Sequence, residues 1–167
     1  MKVFDRRRSQ PDIDQWAKEH YQAVWAFCRR RVGMDLASDL TQDTFVTAEQ
    51  KRSSYREDVP PRAWLFGIAL NHCRNRARNL GREVQIDWLA DTPAPKGADM
   101  IESEALRQAL AKLSEDHRAV VILKEVEGLT YDEIGKVLDV PSGTVKSRLH
   151  HAFVQLRKEL CTGSVEA

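Results

Sequence analysis

Two breaks in the helical pattern between Ser114 and Leu160 restrict this part of the chain to very few folds. An apolar helical pattern stops at Gly128, and a second begins at once with Thr130-Tyr131-Asp132-Glu133. Thr130 and Glu133 have capping-box spacing, in which a hydroxyl and a carboxylate each satisfy a backbone N–H at a helix start. Ile134, Val137 and Leu138 give this short helix an apolar face, and Val140-Pro141-Ser142 breaks it. Val145, Leu149, Ala152/Phe153, Leu156 and Leu160 then mark one face of a longer helix. Two helices joined by a few residues, the second with an opposed polar stripe, form a helix-turn-helix whose second helix fits the DNA major groove. That stripe is Thr144, Ser147, Arg148, His151 and Gln155, at spacings of three and four.

The rest of the composition narrows the class. No run of about twenty apolar residues is present, so no membrane span is expected. The charged stretch from Met1 to Pro11 lacks the apolar core of a secretory signal, which leads us to expect a cytoplasmic protein. Cys28, Cys73 and Cys161 are isolated and fit no metal spacing, so they read as reduced thiols. Gly-rich phosphate loop, metal-ligand cluster and nucleophile with its base are all missing, so neither an enzyme nor a cofactor is expected.

Net charge is +1, low for a nucleic-acid binder, but its distribution is uneven. Residues 1–82 hold 16 Lys/Arg against 10 Asp/Glu, residues 83–115 hold 3 against 7, and residues 116–167 hold 7 against 8. A nearly neutral tail binds duplex DNA weakly alone, because phosphate neutralisation supplies much of non-specific affinity. A larger partner must supply the rest.

Three helical patterns fill the basic front. The first runs from about Asp12 to Val32, with Trp16, His20, Ala23/Val24 and Phe27 on its apolar side. The second starts near Asp35 and carries Leu36, Leu40, Thr44/Phe45 and Ala48. After Pro60-Pro61 the third carries Ala63, Phe66, Leu70, Cys73, Ala77 and Leu80 as a buried stripe. Its other side presents Trp64, Ile68, Asn71, Asn75, Arg78 and Arg82, flanked by Arg74 and Arg76. An aromatic, amides and arginines on one face can stack on bases, bond their edges and hold phosphates, although the same face also reads as plain solvated surface. Beyond Arg82, the stretch Asp91 to Gly97 cannot continue a helix and reads as a linker, and periodicity resumes near Glu102 with Leu106, Ala109/Leu110 and Leu113. The expected fold is all-α, with two small helical domains, 12–82 and 102–162, on a flexible acidic tether, 83–101.

Taken together these elements resemble a bacterial RNA polymerase sigma factor of the extracytoplasmic-function group. Asp39-Leu40-Thr41-Gln42-Asp43-Thr44-Phe45 is similar to the polymerase-binding segment of sigma region 2, and Arg62 to Ala69 followed by Asn71 is similar to its promoter-melting helix. Leu129 to Gly135 and Ser142 to Leu149 are similar to region 4. The resemblance implies that Asp39, Gln42, Asp43 and Phe45 bind core RNA polymerase, on the clamp helices of its β′ subunit, while the β flap meets region 4. Ser54, Tyr55 and Arg56 are implied to capture an extruded base of the −10 element, and Trp64, Asn71, Arg74, Asn75 and Arg78 to hold the melted strand. On the duplex −35 element, Ser142, Gly143 and Thr144 at a helix start suit a phosphate. Lys146 is implied as a phosphate contact, with Ser147, Arg148 and His151 toward the bases, Arg148 being able to grip guanine O6 and N7. An anti-sigma partner is implied as well.

Several of these residues have plainer readings. Ser142 reads as a helix N-cap, Arg148 as a surface ion pair, Tyr55 as a loop aromatic packed on the core, and Asp39 as a helix-dipole partner. Two other functions stay open at this point: a sigma-like decoy that binds an anti-sigma protein, and a stand-alone helix-turn-helix regulator.

Overall fold

The Asp12 carboxylate accepts the Gln15 N–H at 3.0 Å and caps helix α1 (Ile13–Val32), whose last turn carries Arg29, Arg30 and Arg31 against the negative end of the helix dipole. Gly33, at φ 82°, turns the chain into α2 (Met34–Gln50). A 3₁₀ turn at Arg52–Ser54 and an extended stretch lead to α3 (Pro61–Leu80), with proline in the first helical position, where its missing N–H is harmless. The computed structural model describes residues 10–80 and 100–163, and among them every regular element is helical.

The front core forms where these three helices meet. Val24, Phe27 and Cys28 of α1 pack against Ala37, Leu40 and Ala48 of α2 and against Ala63, Phe66, Leu70 and Cys73 of α3. The Phe27 and Phe66 rings stack at 4.8 Å between centroids. Thr41 and Thr44 are fully buried in α2 without harm, because each hydroxyl donates back to a carbonyl one turn earlier, Ala37 and Leu40, at 2.7 Å. The stripe read from sequence on α3 is too narrow. Leu65 and Ala69 are fully buried too, while Leu80 at its end is 38% exposed. The reason is that α1 and α2 both pack on α3, which widens its covered side.

That second half starts with α4 (Met100–Lys112), so Met100 and Ile101, expected in the tether, are its first turn. The remainder of the tether, residues 83–99, and Arg82 lie outside the described residues. Ser114 caps α5 (Glu115–Val121) by accepting the His117 N–H, and the helix widens into a π turn at Ile122–Val126 before Gly128, at φ 69°, ends it. The capping box opens α6 (Tyr131–Leu138): Glu133 N–H donates to Thr130 Oγ1 at 3.2 Å, and Thr130 N–H donates to Glu133 Oε2 at 2.7 Å. In α7 (Ser142–Gly163) the carbonyl of Pro141 accepts the first helical N–H groups, from Thr144 and Val145. Ser142 is therefore the first residue inside the helix and not its N-cap, a correction to the plainer reading above.

The turn between α6 and α7 is held by backbone. Asp139 sits in the left-handed region at φ 55°, and Val140 N–H donates to the Gly135 carbonyl at 2.9 Å. A Cβ on Gly135 would stand 2.7 Å from the Val140 carbonyl oxygen, a backbone atom that cannot swing aside. Gly135→Ala is therefore expected to destabilise the chain by about 1–3 kcal/mol through overpacking. Urea denaturation of the two proteins checks this, and an unchanged midpoint would mean that the turn has room.

Candidate polymerase and nucleic-acid interfaces

The acidic turn of α2 divides into two parts. Asp39, Gln42 and Asp43 are exposed and line one shallow hollow with Leu36 and with Arg76 of α3. Phe45 is not among them. It lies half-buried against α1, stacked on Tyr21 at 6.1 Å between centroids, beside the exposed Val46.

On α3 the sequence-predicted strand face also splits. Asn71, Asn75 and Arg78 are exposed, and Arg78 donates to the Asn75 amide oxygen. Trp64 instead joins a half-buried aromatic cluster, 6.0 Å from Trp16 and 5.3 Å from Tyr55, all edge-on. Tyr55 is pinned there, its hydroxyl donating to the Val59 carbonyl at 2.5 Å. Burial, with Glu57 and Asp58 nearby, pushes its phenol up. Ser54 bonds the Lys51 carbonyl and Arg56 pairs with Asp58, both on the surface.

On α7 the reading helix presents Lys146, Ser147 and His151 to solvent, with Ser142, Gly143 and Thr144 at its start. Lys146 lies 5.4 Å above the Tyr131 ring, and His151 stacks on His117 at 6.3 Å. Gln155 leaves the stripe: its amide donates to the Lys112 carbonyl and ties α7 to the end of α4. Arg148 is half-buried and pairs with Asp116 at 3.1 Å, so in this state the plainer reading holds for it.

Neither half is alone, because carboxylates of the second half grip arginines of the first. Glu115 accepts Arg74 at 2.7 and 3.3 Å and Arg31 at 3.2 Å, and Asp116 stands 3.8 Å from Arg74 while it holds Arg148. Glu127, 4% exposed, accepts Arg30 at 2.5 Å and Arg62 at 3.2 Å, and Arg62 also donates to the Glu127 backbone carbonyl at 2.8 Å. Lys136 of α6 closes the contact on the Asp58 carbonyl at 2.6 Å and its carboxylate at 3.2 Å. Burial pushes the Glu127 carboxyl up, against the opposing pull of Arg30 and Arg62. Burial works the same way on Glu115, but there the hydrogen bond and charge of Arg74 and the charge of Arg31 prevail and hold the carboxyl below the usual range. This contact set was missed in the sequence. Its one signal was the opposed charge of front and middle, which the spacing rules for single helices do not interpret.

The sequence matches two family models, Sigma-70 region 2 over residues 16–83 and Sigma-70, region 4 over residues 103–156. The RNA polymerase sigma factor YlaC of Bacillus subtilis is 32% identical, covering 89% of this chain and 91% of its own length. The ECF RNA polymerase sigma factor SigE of Mycolicibacterium smegmatis is 33% identical, covering 98% of this chain and 68% of its own. Among solved structures, the sigma factor RpoE of Bartonella quintana, in complex with the anti-sigma factor NepR, superposes with a TM-score of 0.68 at 32% identity, over 89% of this chain and 96% of that one. The chain belongs to the ECF RNA polymerase sigma factors. It is thus a transcription initiation factor of two helical domains. No described helix of this sigma factor is long and apolar enough to cross a membrane.

The depressed Glu115 carboxyl makes the contact between the halves pH-sensitive. A carboxyl held low in the folded chain contributes stability above the ordinary glutamate value, and that contribution is lost as pH falls through the depressed one. The Glu115 side chain is 44% exposed, so screening limits the effect, and Glu115→Gln is expected to lower stability at pH 7 by about 0.5–1 kcal/mol. Urea midpoints at pH 7 and pH 4 check the sign: the gap between the two proteins should narrow at pH 4. A gap of equal size at both values would mean that Glu115 gains nothing from its arginines.

Proposed function

We propose that this sigma factor divides promoter recognition between its two domains. Residues 12–82 bind core RNA polymerase and the melted −10 strand, and residues 102–162 read the duplex −35 element. The exposure of Asn71, Asn75 and Arg78 together on one side of α3 carries the reading. Two amides and a guanidinium in a row can bond the edges and backbone of an opened strand. Trp64 and Tyr55 serve the same strand at the end of α3, where an extruded base stacks in exchange for their edge-on contacts. Asp39, Gln42 and Asp43 offer a basic partner surface two carboxylates and an amide within one turn, which supports docking on the β′ clamp helices.

At the −35 element Ser142 and Gly143 meet a phosphate through their N–H groups at the start of α7 and Thr144 through its hydroxyl, and Lys146 meets another. Arg148, once released from Asp116, donates to guanine, with Ser147 and His151 beside it. The β flap holds this domain at its site, and linkage through polymerase raises its effective concentration there. An anti-sigma protein is the proposed restraint on both domains, and the chain works in the cytoplasm, where polymerase and promoter are.

Run-off transcription with core polymerase tests the reading. Arg148→Ala is expected to lose about 1–3 kcal/mol of discrimination at one −35 base. Asn75→Ala should leave −35 preference intact and impair opening, with part of that loss recovered on a template whose −10 bubble is already melted. Equal recovery of both variants on the bubble would show that the two domains do not divide the work this way. Asp39→Lys with Asp43→Lys should weaken pull-down by core polymerase while the circular dichroism spectrum stays unchanged; wild-type capture by this double variant would remove the acidic turn from the polymerase contact.

A further inference from the structure

Where α1, α2 and α3 face the second half they form a hollow lined by Arg31, Lys51, Arg74 and Arg78, with the amides of Asn71 and Asn75 on its wall. One carboxylate, Glu115 of α5, enters it. Its grip by Arg74 is a two-bond fork, Nε to one oxygen at 3.3 Å and Nη2 to the other at 2.7 Å, with Arg31 on the first oxygen at 3.2 Å. A guanidinium makes the same fork to a phosphate, so carboxylate and phosphate are interchangeable ligands of such a site. With Arg118 of α5 also on the lining, five cations around a single carboxylate leave the hollow with surplus positive charge, which suits a polyanion better than the one acid present.

We propose that this hollow is a backbone-phosphate site for single-stranded nucleic acid, and that Glu115 fills it in the free chain as an internal phosphate mimic. The inference rests on α3 being the strand-holding helix. The closed arrangement blocks the site by bulk as well as by charge: α6 lies across α3 at Gly67, where an added Cβ would meet Val137 at 3.9 Å. Gly67 shares its side of α3 with Asn71, Arg74 and Arg78, at successive spacings of four, three and four residues. The pairs of Glu127 with Arg30 and Arg62, and of Lys136 with Asp58, latch the halves together. A strand can enter only when these contacts part, so the apparent affinity of the free chain is its intrinsic affinity multiplied by the open fraction.

Two variants of the full chain open it by different routes. Gly67→Leu keeps every charge and wedges α6 away from α3, whereas Glu115→Gln with Glu127→Gln removes the mimic and loosens the latch. The readout is fluorescence anisotropy of a labelled twelve-nucleotide single-stranded DNA at fixed salt without polymerase, with circular dichroism for folding and small-angle scattering for the radius of gyration. Both variants should expand and bind the oligonucleotide about tenfold more tightly than wild type, which corresponds to an open fraction of about one tenth in the free protein. Adding Arg74→Ala to either should remove the gain. A folded, expanded variant that binds no more tightly than wild type overturns the proposal, as does a gain that survives Arg74→Ala. Run-off transcription by the wild-type chain reports on the strand-holding role separately: if Asn75→Ala still impairs opening while Gly67→Leu gains nothing, only this inference falls.

Discussion

Glu127 is the contact on which the arrangement of the two halves depends. Its carboxylate is almost fully buried between Arg30 of α1 and Arg62 of α3, and the guanidinium of Arg62 also takes its backbone carbonyl. Burying a carboxylate is costly, and the upward push on this carboxyl shows that the two arginines do not fully offset the loss of water. Such a pair is poor as a source of stability and good as a source of specificity, because a misdocked half would leave a buried charge unmatched. The position of Glu127 follows from the π turn just before it, where Glu127 N–H reaches back five residues to the Ile122 carbonyl. That widened turn carries the carboxylate off the end of α5 and into the front half.

The contact has consequences for both nucleic-acid surfaces. Asp116 lies between Arg148, the candidate base reader of the second half, and Arg74, a candidate strand contact of the first. Neighbouring Glu115 completes the hold on Arg74. One short acidic step at the start of α5 therefore engages cations proposed for two different recognition tasks. Ser114, which caps α5, sets the direction of that step, so the residues that begin a helix also hold arginines of both proposed nucleic-acid faces. The acidic turn of α2 stays clear of this contact, so the proposed polymerase docking and the proposed strand binding use separate surfaces.

Much of the fold was legible because local physics decides it. The helix start near Asp12, the capping box of Thr130 and Glu133, the break at Gly128 and the Pro60-Pro61 punctuation all act within a few residues, and each stands where the sequence located it. The helix-turn-helix could be read for the same reason. Errors arose where a side chain had a choice of distant partners. Gln155 shares the spacing of the polar stripe yet bonds the end of α4. Periodicity reports the direction in which a residue points from its own helix, and is silent about what lies there.

The sequence by itself determined the helices, their order, the family and the separation of a basic front from an acidic middle, because propensity, capping and hydrophobic period are properties of neighbouring residues. Tertiary structure alone decided what the opposed charges do. Arg30, Arg31, Arg62 and Arg74 meet Glu115 and Glu127 across separations of 41 to 97 residues. Coulomb attraction depends on distance in space, and only the folded chain brings those groups within reach.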